Sequence, residues 1–462
     1  MVFSSIIFLF CFFPAVFFFY FIICRKSILA KNICLLCASL VFYAFGEGKN
    51  IVLLLFSIAV NYAFGLLLEP GKHRHRKLLL FLGVAADLGL LFVYKYLDFT
   101  ISNINVLFKT DIPLAHIALP IGISFFTFQA ISYIADVYRG KVPTQKNPLY
   151  VGLYISLFPQ LVAGPIVRYE TIMKEIHERK ETFNDFSCGV RRFICGMGKK
   201  ILLADTMSLF ADRIMTKVAG GDSISAAFAW LGALCYTLRI YYDFAGYSDM
   251  AIGLGRMFGF KFEENFNYPY TASSIGDFWR RWHISLASWF RDYVYIPLGG
   301  SRVSLWKQYR NIAIVWMLTG LWHGAAWNYV MWGLYYALLL MFERLTGYGK
   351  KIMLPKIPAH ILTVFLTLIG MTIFASPGLS VMGRYIGMMF GAGAAGLIDD
   401  TTLFVLKDNW MFFAAGIAFS APLAKKIEKR AAVYDLLLAA VFMVCIIYII
   451  KGNYSPFIYF NF

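Results

Sequence analysis

Charge is what this chain has least of. Asp and Glu total 26 and Lys and Arg 43 among 462 residues, so charged side chains make up 15% of the sequence and hydrophobic ones 60%. With a mean hydropathy of +0.65, that excludes a soluble enzyme of this length, whose composition would be about a quarter charged. A disulfide framework is also missing: Cys11, Cys24, Cys34, Cys37, Cys235 and Cys445 lie in or beside apolar runs, where they serve as small hydrophobes. Cys34 and Cys37 have metal-type spacing, but no second Cys or His pair accompanies them, and no metal site is expected. Ala245-Gly246-Tyr247-Ser248-Asp249 departs from Gly-x-Ser-x-Gly, which argues against a nucleophile elbow. No Gly-rich phosphate loop leads into Lys-Ser or Lys-Thr. The first apolar run has no basic residue ahead of it and no small-residue cleavage pattern, so it reads as a retained anchor and not a signal peptide.

What fills the chain instead is apolar runs, near 3–24, 28–45, 51–68, 78–97, 114–134, 149–167, 226–254, 312–342, 359–375, 379–397, 402–420 and 433–450. A helix needs roughly 20 residues to cross about 30 Å of hydrocarbon, so these predict an all-α, multi-pass integral membrane protein with roughly 11–13 membrane segments. Neither an internal repeat nor a linker interrupts 1–462, which is expected to be a single domain embedded in a lipid bilayer. The net charge of +17 would suggest nucleic acid in a soluble protein. Here it sits in connectors such as Lys72-His73-Arg74-His75-Arg76-Lys77 and Lys425-Lys426-Ile427-Glu428-Lys429-Arg430, the positive-inside pattern, and no nucleic acid partner is expected. Placing Arg25, Lys26 and Lys31 in the cytoplasm puts the N-terminus outside. A full crossing at 149–167 would then carry the basic stretch 168–200 outside as well. Pro159 and Gly164-Pro165 break that segment, which predicts a re-entrant element, followed by amphipathic helices over 168–225 on the cytoplasmic surface.

The region 261–345 differs in character. Ser274 with Asp277 makes a capping-box-like helix start, and the helix is predicted to run to about Tyr295, before Pro297 and Gly299-Gly300. On it Phe278, Trp282, Trp289 and Tyr293 share one face, and Arg280, His283 and Ala287 another, which suits an interfacial or re-entrant helix. Further on, Trp322-His323-Gly324 sets an ionisable residue inside the apolar stretch 312–342, flanked by Thr319, Gly320, Ala325 and Ala326. A helix starting near Arg310-Asn311 at about 1.5 Å per residue puts His323 roughly 20 Å deep, just past the midplane. Asn311 to Glu343 is too long for one simple crossing, so a break is expected between Gly320 and Gly324, where the imidazole is open to both faces.

A neutral imidazole there can take a proton from a hydroxyl attacking an acyl carbonyl, and apolar burial favours the neutral form. The alternative is a buried histidine hydrogen-bonded between helices. His283, beside Arg280 and Arg281, is the second candidate; it either bonds structurally or partners His323 by orienting substrate or supplying a proton. Arg239 and Asp243, one turn apart, are expected to pair with each other, either fixing helix packing or facing substrate. Asp87 and Asp136 are weighed the same way. Ser285, Tyr247 and backbone amides at the Gly320–Gly324 break are candidates to stabilise an oxyanion, and Trp322 to shape the tunnel.

These motifs resemble the membrane-bound O-acyltransferase (MBOAT) family, in particular its bacterial alginate O-acetyltransferase branch. The resemblance covers nearly the whole chain. It is carried by Met1-Val2-Phe3-Ser4-Ser5, Pro120-Ile121-Gly122-Ile123-Ser124-Phe125-Phe126, Asp136-Val137-Tyr138-Arg139-Gly140 and Phe158-Pro159-Gln160-Leu161-Val162-Ala163-Gly164-Pro165. It continues in Tyr242-Asp243-Phe244-Ala245-Gly246-Tyr247-Ser248, Trp282-His283-Ile284-Ser285-Leu286, Leu298-Gly299-Gly300, Gly320-Leu321-Trp322-His323-Gly324 and the terminal 457–462. The resemblance implies an MBOAT-like fold with re-entrant helices around a central tunnel, in the bacterial inner membrane. It implies O-acetylation of an extracytoplasmic polysaccharide such as alginate, with acetyl-CoA as donor and no tightly bound cofactor. His323 matches the family's catalytic histidine and His283 its second functional histidine. A periplasmic or membrane-anchored esterase-like partner is implied too. The stretch 168–200 and Arg310 are expected to attract CoA phosphates. D-alanyl transfer from a carrier protein to teichoic acid is the alternative within the family. A secondary transporter or a non-catalytic export scaffold is the alternative outside it.

Overall fold

The computed structural model describes residues 1–349, 354–423, 431–452 and 457. The basic cluster Lys425–Arg430 and the terminal stretch 458–462 lie outside them. The described residues are predominantly helical and divide into two compact units: Met1–Phe193 with Tyr247–Glu263, and Ile194–Gly246 with the described part of Glu264–Ile458.

In the first unit, α1 (Phe8–Ile23), α2 (Ile28–Glu47), α3 (Ile51–Leu67) and α4 (Arg76–Leu91) lead through a π-wound turn into α5 (Leu97–Phe108). Then come α6 (Ile123–Tyr138), α7 (Pro148–Ser156), the single turn α8 (Phe158–Leu161), α9 (Tyr169–Glu178) and most of α10 (Phe183–Gly198). Helix α6 is buried from Ile123 to Val137, its polar Ser124, Thr127, Gln129, Ser132 and Asp136 included, and is packed by α3, α4 and α7. The outer helices instead leave Val41, Phe45, Val52, Phe56 and Phe81 exposed, side chains that suit hydrocarbon and not water. Asn61 on α3 donates to Asp87 on α4 at 2.8 Å, so Asp87 ties two helices together. Asp136 faces Lys141 at 4.0 Å.

The stretch 149–167 is broken as expected at Gly164-Pro165, which follow the end of α8, and a second time at Leu157, whose non-helical backbone separates α7 from α8. Pro159 breaks nothing, because it occupies the first turn of α8, where no helical partner awaits its missing N–H. Helix α9 is amphipathic, with Tyr169, Ile172 and Ile176 buried and Glu170, Lys174 and Glu178 exposed.

The second unit contains α11 (Asp205–Gly220), the first part of α12 (Ala226–Met257), α13 (Ile275–Arg281), α14 (Ile284–Phe290), α15 (Leu305–His323) and α16 (Trp327–Thr346). Helices α17 (Lys356–Ala375), α18 (Leu379–Met389), α19 (Asp400–Phe419) and α20 (Ala431–Ile450) follow. Five helical runs of the described chain are long and apolar enough to cross a membrane: Ile28–Leu67, Arg76–Phe108, Lys356–Ala375, Asp400–Phe419 and Ala432–Ile450. Several other apolar stretches form shorter helices instead, which is how a multi-pass chain accommodates broken backbone around a protein-lined interior.

Candidate active site

The apolar stretch 312–342 does not cross as one helix. Helix α15 ends at His323, Gly324 is extended with φ −174°, and α16 starts at Trp327. The break is where the glycines placed it, but the two helices fold back on each other as an antiparallel hairpin. Gly320 lies against the backbone of Tyr329, and Gly333 against the carbonyl of Trp316, so a Cβ at either position would collide with backbone. The hairpin therefore closes only because both positions are glycine.

At its turn, His323 is 3% exposed. Its ring stands edge-on to Trp322, Trp332 and Phe374, with centroids 5.0, 5.1 and 5.1 Å away. Three aromatic walls fix the plane of the imidazole and remove water from it.

The second histidine comes from a break that the sequence pattern does not show. Ser274 caps α13 as expected, its hydroxyl accepting from the Asp277 N–H at 3.1 Å, and the Glu343 carboxylate accepts the N–H groups of Ile275 (2.6 Å) and Gly276 (2.9 Å). The helix then stops at Arg281 instead of running to Tyr295. His283 takes a left-handed backbone (φ 45°, ψ 54°), and α14 restarts at Ile284. Backbone from 265–267 supplies the missing partners: the Asn267 N–H donates to the Arg281 carbonyl at 2.9 Å, and the Ile284 N–H to the Asn265 carbonyl at 3.0 Å. Arg280, His283 and Ala287 therefore do not lie on one helical face.

His283 is 2% exposed, edge-on to Phe244 at 4.6 Å and 5.8 Å from the Trp322 ring. Its Nδ1 lies 3.2 Å from Asn265 Oδ1, which also accepts the backbone N–H (3.2 Å) and hydroxyl (2.9 Å) of Ser285. Sequence reasoning missed Asn265; its only signal was a buried amide amid the aromatic run just ahead of the Ser274 cap.

Both histidines line one cavity of about 460 Å³, all of whose walls belong to the second unit. Trp279, Trp282, Leu286, Phe290, Val315 and Leu340 make it largely apolar, and Arg280 and Arg291 add cations. The two guanidinium groups are 63% and 62% exposed and pair with Asp277 and Asp292. The cavity therefore joins two exposed cations to two buried imidazoles.

None of the other expected site residues is among the cavity's lining residues. Trp322 contacts both imidazole rings, 5.8 Å from that of His283 and 5.0 Å from that of His323. Ser285 gives its hydroxyl to Asn265, so its position is that of a support. Tyr247 belongs to the first unit, stacked on Phe3 at 4.6 Å. Arg239 does not pair with Asp243. It binds Asp212, while Asp243 meets buried Lys200 at 2.8 Å, which also holds Asp205 at 2.8 Å. An ammonium between two carboxylates outcompetes a guanidinium that can reach the exposed Asp212 at little desolvation cost. Arg310 turns to Asn311 Oδ1 (2.9 Å) and is not among the cavity's lining residues.

The exposed apolar helices and the buried imidazole pair in one cavity define a multi-pass membrane enzyme. The chain belongs to the membrane-bound O-acyltransferase family, whose sequence profile matches residues 142–374, a span that contains α13–α16 and both histidines. It is therefore an O-acyltransferase. It is 39% identical over 453 residues to "Probable alginate O-acetylase AlgI" of Pseudomonas aeruginosa, covering 94% of this chain and 85% of that protein. The protein of the same name from Pseudomonas putida is 36% identical, with 100% of both chains covered. "Peptidoglycan O-acetyltransferase" of Helicobacter pylori is 37% identical, over 79% of this chain and 75% of its own.

Proposed function

We propose that the protein takes an acetyl group from a cytoplasmic thioester, acetyl-CoA, and passes it across the inner membrane for O-acetylation of an extracytoplasmic polysaccharide of the alginate class. The observation that carries this reading is the cavity, with exposed Arg280 and Arg291 in one part and buried His283 and His323 in another. The arginines suit the phosphates of CoA, and the apolar walls between suit its acyl-bearing arm.

His323 acts as the base. It takes the proton of the acceptor hydroxyl as the oxygen attacks the thioester carbonyl carbon. When the adduct collapses, the carbon–sulfur bond breaks and the departing thiolate recovers that proton from the imidazolium. His283 holds the substrate. The N-terminus lies outside, and an esterase-like partner beyond the membrane completes delivery. The names of the relatives support the acetyl group and the glycan acceptor.

A strain lacking the gene tests this, through the base-labile acetate of its envelope and secreted polysaccharide. The native chain is expected to restore the acetate, and His323→Ala at equal protein level is not. Restoration by His323→Ala, or acetate unchanged by the deletion, contradicts the reading.

A further inference from the structure

Asn265 is fully buried, and its side-chain oxygen gathers three donors in one place. The backbone N–H of Ser285 points at Asn265 Oδ1 from 3.2 Å. A backbone N–H can only donate, so the atom it meets is the amide oxygen and not the amide nitrogen, which fixes the orientation of the group. His283 Nδ1 lies 3.2 Å from the same oxygen. A ring nitrogen facing an acceptor carries the proton, and in a neutral imidazole the other nitrogen then holds the lone pair. That other nitrogen, Nε2, is buried and meets no hydrogen-bond partner among the described residues, on a ring that lines the cavity. A ligand group in that cavity would supply the partner this nitrogen lacks.

We propose that Asn265 is a positioning residue for acyl transfer: it fixes His283 as the Nδ1–H tautomer, so that Nε2 accepts a hydrogen bond from an O–H or N–H of the substrate in the cavity. The inference rests on the reading that His283 engages substrate, and it decides between two roles. His283 in this tautomer orients substrate by accepting and is not a source of protons at Nε2. Asn265 holds the backbone as well, because its carbonyl accepts from Ile284 at 3.0 Å, beside the left-handed turn at His283 that a residue with a side chain seldom adopts. The Ser285 hydroxyl donates to the same oxygen at 2.9 Å.

Full-length protein in detergent, labelled with nitrogen-15 histidine, tests this directly. The His283 signals are assigned by their loss in His283→Gln. Native protein is expected to show a protonated Nδ1 and a bare Nε2, and Asn265→Leu a shift toward the opposite tautomer. With acetyl-CoA as the donor, Asn265→Leu is expected to lower kcat roughly ten- to hundredfold with KM changed by less than about twofold. Asn265→Asp keeps an acceptor oxygen and is expected to retain the native tautomer and most of kcat, and it serves where Asn265→Leu does not accumulate. A native His283 protonated at Nε2, or an Asn265→Leu protein with native tautomer and native kcat, overturns the inference. His283→Gln with native kcat would instead remove the functional reading of His283, while the nitrogen signals would still report whether Asn265 sets the tautomer.

Discussion

The Trp322 indole stands 5.8 Å from the His283 ring and 5.0 Å from that of His323, centroid to centroid, so one side chain touches both imidazoles. Trp322→Ala leaves a void beside both rings, and both are then free to turn. The expected result is a loss of acyl-transfer rate together with roughly 3–5 kcal/mol of stability. Trp322→Phe keeps an aromatic wall and should retain more of each. Thermal unfolding in detergent and initial rates, measured on the same preparations, check both parts.

Gly320 and Gly333 hold the hairpin at backbone contact. Gly320→Ala or Gly333→Ala must push α15 and α16 apart, because the collision is with main chain that has no rotamer to yield. Each is expected to cost at least the about 1–3 kcal/mol typical of overpacking and to displace His323. Gly378→Ala, where a Cβ meets nothing within 4 Å, is the control and should fold like the native protein.

Lys200 bridges Asp205 and Asp243, with all three side chains buried. Lys200→Met strands two carboxylates in a low-dielectric interior, and a loss of about 3–5 kcal/mol is expected, seen as reduced folded yield. Adding Asp243→Asn should recover part of the loss. Arg239→Gln breaks only a contact to the exposed Asp212 and should change stability by less than about 1 kcal/mol, with activity unchanged.

A pH effect is expected at the loop between α9 and α10. Burial pushes the Glu181 carboxyl up, but hydrogen bonds from Lys31 and Tyr20 outweigh it and hold the group below its usual range. A carboxylate lowered on folding stabilises above its unfolded value, and that contribution fades as pH falls through the folded one. Thermal unfolding should therefore lose midpoint on acidification below about pH 4, and Glu181→Gln should flatten that acid limb.

Periodicity and punctuation carried far in this chain. Apolar runs predicted an all-α membrane protein, Ser274 predicted a cap, and the glycines around His323 predicted a break. The features that escaped all depend on partners distant in sequence. The break at His283 is made by hydrogen bonds from 265–267, which no pattern within 274–295 contains. Arg239 and Asp243 sit at ideal helical spacing, yet each finds a partner on another segment. A fold-back at Gly324 and a simple kink also look alike in sequence, because what separates them is contact between Gly320 and Gly333 across the turn.

Purified full-length protein in lipid vesicles, supplied with radiolabelled acetyl-CoA, an acceptor glycan and the partner that completes delivery, tests the central claim most directly. Native protein should release CoA thiol and label the glycan, and His323→Ala, folded as judged by unchanged thermal unfolding, should do so roughly 10²–10⁴-fold more slowly. Undiminished transfer by His323→Ala would contradict the account.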